Sequence, residues 1–279
     1  MHDYLDQSCG ITIDGETYTH LLYADDLILV TEEASAMKTL LKNLESYCRK
    51  WHLIINSQKS KVMIFRKPGR STLVEDYNFT IENTELEVVN SYKYFGHVIC
   101  NSNNTHKEMF NHLATQAQKA LYALKERIRS TIGYVPPKLG IKMFDTHILP
   151  ILEYNSEIWF QVKQVEPLEK LQLQYLRNML GVRCQTSTLA ILADTGRFPL
   201  LVRQQLSAIK YLKRIRADSC PLLLRKCYNI QTQLHQNGHL CWLSRLFKAT
   251  ANLNIDTLHY NKLEVLIFTT ICQRQFIVI

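Results

Sequence analysis

The eight cysteines of this 279-residue chain include no CxxC pair. Cys9, Cys48, Cys100, Cys184, Cys220, Cys227, Cys241 and Cys272 are scattered, which argues for free thiols in a reducing compartment and against a disulfide framework. No apolar run reaches the roughly 18–20 residues of a membrane span. The nearest, "LEVLIFTTIC", is followed by "QRQ" and reads as a core segment or an untemplated tail. The opening "MHDYLDQSCG" lacks the basic flank and apolar core of a signal peptide. An intracellular protein, nuclear or cytoplasmic, with no membrane and no secretion, is the expectation. A Gly-rich phosphate loop, a Ser-His-Asp arrangement, an internal repeat and a low-complexity linker are all missing.

What is present is a globular composition, 46% hydrophobic and 21% charged, with a formal net charge of +8. A basic balance suits an acidic partner, of which nucleic acid is the commonest, although it also describes any soluble basic surface.

The first hundred residues read as mixed α and β. "ITIDGETYTH" alternates around Asp14-Gly15, a hairpin signal. "LLYADDLILV" reads as two short strands flanking Asp25 and Asp26. A helix follows, with Thr31 as its expected cap and Glu32 and Glu33 at the positive end of its dipole. Its stripe is Ala34, Met37, Leu40, Leu41, Leu44, Tyr47, Cys48 and Trp51, a 3.6-residue period that buries one face. "KVMIF" reads as a buried strand, "FTIENTELEVV" as a hairpin around Asn83-Thr84, and "SYKYFGHVI" as a further strand. After about residue 104 the strand signals fade. Leu113, Ala117, Ala120, Leu121, Leu124 and Ile128 form a helical stripe, ended by Gly133 and Pro136-Pro137. Helical patterns recur near 138–160, 166–180 and 198–217. The expected class is α+β: a sheet with a packed helix, then an all-α region.

Asp25 and Asp26 pose a physical problem. Two carboxylates forced together in a tight hairpin raise one pKa unless a cation is present. A divalent metal resolves this, since hard cations take oxygen ligands. An ordinary surface turn is the alternative, since Asp is common in turns. Asp-Asp, however, is not the dipeptide that two-residue hairpins prefer.

"YADD" within "HLLYADDLILV" resembles the catalytic hairpin of reverse transcriptases. "LESYCRKWHLIINSQKSKVMIF" is similar to the helix, turn and strand that follow it in non-LTR (LINE-type) retrotransposon enzymes. "YKYFGHVI" resembles their primer grip. "HILPILEYNSEIW" and "LEKLQLQYLRNMLGV" are similar to their downstream helices. The resemblance spans roughly residues 10–215. It implies a partial palm-type antiparallel sheet over 1–103, a helical thumb over 104–180 and a C-terminal helical region over 181–279.

The resemblance also implies an RNA-directed DNA polymerase site that uses two Mg²⁺ or Mn²⁺ ions, an RNA template, a DNA primer and deoxynucleotides. Asp25 would be the main metal ligand and Asp26 its neighbour. Lys59 would stand near the leaving phosphate, or be a solvated turn lysine. Tyr23 and Ala24 would floor the primer terminus. Tyr94, Phe95 and Gly96 would form the primer grip, with plain core packing as the alternative for Phe95. Lys119, Lys125, Arg127 and Arg129 would follow the template–primer backbone, or form a solvated face. A second basic run extends from Arg203 to Lys226.

The family's other metal-binding aspartate lies on a strand upstream of YADD. Asp3, Asp6 and Asp14 are the upstream aspartates here, and none has a matching setting. The sequence therefore reads as the downstream half of such an enzyme, incomplete alone, with an upstream palm fragment as a possible partner. The hairpin, short of a pairing partner, is expected to leave an open sheet edge. Cys220, Cys227, His235, His239 and Cys241 form a loose cluster whose spacing matches no common zinc motif, so zinc is not expected.

Overall fold

Four hairpins shape the N-terminal part, and each turns on residues that take positive φ. Strands β1 (Ile11–Ile13) and β2 (Glu16–Tyr18) pair antiparallel around Asp14 (φ 49°) and Gly15 (φ 79°). Two left-handed residues in succession match the twist of the flanking strands. The chain is seen here in a computed structural model that describes residues 4–65, 78–101, 105–131, 133, 135–160, 166–252 and 275–278. Strands β3 (His20–Tyr23) and β4 (Asp26–Thr31) form the second hairpin. Helix α1 (Ala34–Trp51) and strand β5 (Lys61–Phe65) follow. Strands β6 (Thr80–Ile81) and β7 (Thr84–Glu85) turn at Glu82 (φ 48°) and Asn83 (φ 63°), one residue earlier than the sequence suggests. After β8 (Glu87–Val88), the stretch read as a single strand is a hairpin, β9 (Ser91–Tyr94) and β10 (His97–Cys100).

Two expectations about α1 are corrected. Thr31 does not cap it: its hydroxyl donates to the Glu33 carbonyl (3.0 Å), and Glu33 is the N-cap residue, whose carboxylate caps no backbone N–H and accepts the Ser35 hydroxyl (3.2 Å). Trp51 does not join the buried stripe but stands 57% exposed at the helix end, next to the left-handed His52 (φ 53°). The rest of the stripe holds: Met37, Leu40, Leu41, Leu44 and Cys48 are buried.

The main sheet has the order β3-β4-β11-β5-β8, where β11 is Gln275–Val278. Strand β11 runs antiparallel to both neighbours, while β8 is parallel to β5. The period of two, with both faces covered, explains why "LILV" and the "VMIF" of β5 are apolar throughout. Leu29, Val62 and Ile64 pack on the α1 side with Phe79, Ile81 and Leu86. Ile28, Val30, Met63 and Phe65 face the other way, against Ile11, Ile13, Ile99 and Cys227. Each such side chain contributes about 1.5–3 kcal/mol by leaving water. Among the described residues the hairpin does leave an open sheet edge, at β3, while β11 pairs with β4 along Leu29–Thr31.

Downstream helices are α2 (Thr105–Thr131), α3 (Pro137–His147), α4 (Leu149–Leu152), α5 (Ser156–Trp159), α6 (Glu166–Leu180), α7 (Thr188–Thr195), α8 (Leu200–Arg216), α9 (Leu222–Gln236) and α10 (Trp242–Asn252). Mixed α and β followed by mainly helix is the α+β class the sequence implies. Two compact units result. One holds the described residues up to Thr105 with Pro221–Gln231 and β11; the other holds His106–Cys220 and Thr232 to Asn252. Residues 181–279 thus contribute to both. In the first unit, α9 is tied down by Cys227 in the core and by Lys226 paired with Glu16 at 2.6 Å. "LEVLIFTTIC" lies outside the described residues. No helix among them is long and apolar enough to cross a membrane.

In the second unit, α3 approaches α6 at Gly140, where a Cβ would meet the Met179 sulfur at 2.7 Å. The Tyr175 hydroxyl donates to the Gly140 carbonyl at 2.7 Å. Helix α8 begins after Pro199 without a side-chain cap of its own. Glu169 of α6 supplies it: this buried carboxylate accepts the Leu200 N–H at 2.9 Å. Burial pushes the Glu169 carboxyl above its ordinary value, and the N–H groups of Leu200 and Leu201 oppose that only in part. A raised folded value means that the native state favours the protonated form, so this group's contribution to stability is full below the ordinary pKa of 4.5 and declines as pH rises through the folded value. Glu169→Gln keeps an acceptor oxygen and removes the titration. Chemical denaturation at a series of pH values is therefore expected to show the wild type losing stability relative to Glu169→Gln above about pH 4.5; parallel profiles would contradict this.

Candidate functional site

The β3–β4 hairpin pairs Tyr23 with Asp26, so its two-residue turn is Ala24-Asp25. The two aspartates therefore have different backbone roles: Asp25 is in the turn, Asp26 opens the ladder. Ala24 takes the positive φ (52°). A left-handed alanine costs about 1–2 kcal/mol, strain that the flanking strands must hold. Both carboxylates are exposed.

The β9–β10 turn lies beside this hairpin. Phe95 (φ 45°) and Gly96 (φ 75°) form it, and only Gly96 is free of Cβ strain there. The Phe95 ring meets Tyr23 edge-on at 5.0 Å between centroids and Tyr94 at 4.2 Å. Such aromatic contacts are worth about 0.5–1.5 kcal/mol each beyond burial. Phe95 is 44% and Tyr23 67% exposed, so Phe95 is not a core residue. Burial raises the Tyr94 phenol pKa and the Asp26 charge raises it further, which puts Tyr94 within electrostatic range of that carboxylate. The geometry thus gathers Tyr23, Asp25, Asp26, Tyr94 and Phe95 on one exposed corner.

Lys59 stands in the turn before β5. Its backbone N–H donates to the Asn56 carbonyl (3.1 Å) and to Asn56 Oδ1 (3.1 Å), and its carbonyl accepts the Tyr92 hydroxyl (3.2 Å). Its side chain is exposed and pairs with neither aspartate. Tyr92 and His97 are the residues that sequence reading passed over. Tyr92 alternates with Tyr94 on one face of β9, a period-two signal visible in "SYKYF". His97 faces Tyr94 in the ladder, and burial holds its imidazole below the ordinary value, favouring the neutral ring.

Asp25 and Asp26 are hard oxygen donors, the right type for Mg²⁺ or Mn²⁺. Their number falls short: among the described residues no group of three or more His, Cys, Asp or Glu side chains is placed to hold a metal ion. Of the Cys/His cluster, Cys227 lies in the first unit's core, while His235 and Cys241 both contact the Ser244 hydroxyl (3.0 and 3.2 Å) in the second.

In α2, Lys119, Arg127 and Arg129 are exposed and Lys125 half-buried. At about 100° per residue, Lys125 and Arg129 lie about 40° apart on α2, Lys119 lies about 80° beyond Arg129, and Arg127 lies about 160° from both Lys125 and Arg129 and about 80° from Lys119. Arg129 makes an exposed ion pair with Glu126 (3.5 Å).

Residues 3–99 match the reverse transcriptase (RNA-dependent DNA polymerase) family. The chain is 27% identical over 171 residues to an uncharacterized transposon-derived protein of Caenorhabditis elegans. That alignment takes in 61% of this chain and 59% of the relative's length. No solved structure matches. The chain thus carries a reverse transcriptase domain over residues 3–99 and is homologous to a transposon-derived protein.

Proposed function

We propose that this chain is the downstream part of a non-LTR retrotransposon reverse transcriptase: partial palm, thumb-like helices and a C-terminal helical region. The observation that carries the reading is the Ala24-Asp25 hairpin, with Asp26 in its ladder and Tyr23, Tyr94 and Phe95 packed beside it, inside the matched residues. In this reading Asp25 and Asp26 are one half of a divalent-metal site. Bound Mg²⁺ would supply activation of a primer 3′-hydroxyl and charge stabilisation on the leaving pyrophosphate. Tyr23, Phe95 and Gly96 hold the primer terminus, with aromatic faces against a sugar or base. Lys59, in no ion pair among the described residues, is available to a leaving phosphate. Lys119, Lys125 and Arg129 track the nucleic-acid backbone. The remaining carboxylate comes from outside the described residues, as from a longer protein or a separate palm fragment.

The shortfall of ligands at Asp25 and Asp26 among the described residues favours a second reading: a nucleic-acid-binding remnant that performs no chemistry. Binding of the full chain to a labelled RNA–DNA primer–template across a salt series tests what both share. Affinity that falls steeply with salt is expected. Salt-independent binding, or none, would remove nucleic acid from the account and leave a protein scaffold.

A further inference from the structure

Helix α1 ends in an exposed aromatic and basic cluster. Tyr47, Lys50 and Trp51 stand at i, i+3 and i+4 and so share one face of its last turns. Tyr4 packs on that face. Its ring meets Tyr47 edge-on at 5.3 Å between centroids, and Trp51 stands 6.3 Å from Tyr47 at 48°. The Lys50 ammonium donates to the Tyr4 hydroxyl and lies 5.0 Å from the Tyr4 ring centroid and 5.8 Å from that of Trp51. Beyond the left-handed His52, the Leu53 N–H bonds to the Cys48 carbonyl (2.9 Å) and closes the helix. An apolar residue at that position usually folds back on the last turn. Leu53 is instead 50% exposed, and Ile54 94%. We propose that Tyr4, Tyr47, Lys50 and Trp51 form a stacking platform for single-stranded nucleic acid, in which Trp51 takes a base and Lys50 a phosphate.

The make-up of the cluster selects this occupant over a protein or a lipid surface. Protein interfaces carry few charges at their centre, and lysine is depleted there. Here an ammonium stands between two rings. A lipid surface needs a helix whose apolar face is free to insert. The apolar face of α1, from Met37 to Cys48, is buried in the first unit's core. A single strand offers what both parts of the cluster can bind: flat base faces for an exposed indole, and anionic oxygens for an ammonium. Lys50 is in no ion pair among the described residues. Of its three donors, Tyr4 takes one. Acids on the same stretches of chain are engaged elsewhere. Glu45 accepts the Glu82 N–H at 2.6 Å, and Asp6 accepts the Ser8 N–H (2.9 Å) and hydroxyl (2.7 Å).

The platform goes beyond the polymerase reading and does not depend on it, since stacking needs no metal. It calls for unstacked bases, so a blunt duplex is a poor ligand for it.

The three tryptophans make the test direct. Trp159 and Trp242 are fully buried, while Trp51 is the exposed one, so quenching by a bound base reports on Trp51. The full chain is titrated with a labelled oligouridylate of about 12 nucleotides, a length within the usual single-strand site sizes. Saturable quenching is expected, and little from an abasic strand of the same length or from a blunt RNA–DNA duplex. By anisotropy, Trp51→Ala should weaken binding at least about five-fold, and Trp51→Phe, which keeps a ring, should recover most of it. Lys50→Ala should make the log–log salt slope shallower by about 0.7. The quenching uses the wild-type chain, so it decides whether or not a variant folds. Quenching without binding of the blunt duplex keeps the platform and counts against a duplex path along α2. Duplex binding without quenching overturns the platform and leaves that path standing. Equal quenching by the abasic strand, or equal affinity of Trp51→Ala and wild type, also overturns it. So does a Trp51 response to phosphatidylserine vesicles and none to the oligonucleotide, which would assign the cluster to a lipid surface.

Discussion

Replacing Lys119, Lys125 and Arg129 together with alanine is expected to flatten the salt dependence of primer–template binding. Three phosphate contacts correspond to a log–log slope of about −2.7, or roughly 40-fold loss of affinity between 50 and 200 mM salt. The triple variant should lose that slope and bind weakly even at low salt. Arg127→Ala alone should change little, because on α2 it lies about 160° from both Lys125 and Arg129. The Glu126–Arg129 pair offers little resistance, as both side chains are largely exposed (53% and 81%). Fluorescence anisotropy of one duplex with the two proteins decides this. An unchanged slope in the triple variant would mean that the basic residues of α2 are a solvated face.

Trp242→Ala is expected to destabilise the second unit by about 3–5 kcal/mol, a fall of roughly 10 °C in its melting temperature. Trp242 is fully buried, its indole donates to the Glu157 carbonyl at 2.8 Å, and its ring meets Phe160 edge-on at 5.6 Å. Alanine leaves a cavity and an orphaned carbonyl together. Trp242→Phe keeps most of the volume and loses only the donor, so its cost should be about 1–3 kcal/mol. Urea denaturation of the three proteins separates the two contributions. Equal stability of Trp242→Ala and wild type would show that α10 does not hold this unit.

Elements governed by local chemistry were legible in the sequence. Asp14-Gly15 marks its own turn, and the stripe from Met37 to Cys48 marks its own helix. Turn positions were displaced by one residue where no glycine signals them. Ala24 rather than Asp25 accepts the left-handed conformation, and Glu82 rather than Thr84. In both cases strand register outweighs the preference of the individual residue. Trp51 fits the helical period yet lies exposed, since the period fixes a direction and not where the covering core ends. Strand β11 was invisible: four residues carry no periodic signal, and their partners lie more than 200 positions away. The same holds for Cys227, which fills the first unit's core from a distant helix. At the site, residue types were legible from "YADD" and "YFGH", while the contact between Tyr23 and Phe95 needed the fold.

Asp25 and Asp26 as an incomplete half of a nucleotidyl-transfer site is the central claim. Extension of a labelled DNA primer on an RNA template by the full chain, with Mg²⁺ or Mn²⁺ and deoxynucleotides, tests it most directly. Primer–template binding without extension is expected, in wild type and Asp25→Ala alike. Template-dependent extension by the wild type that disappears in Asp25→Ala would contradict it.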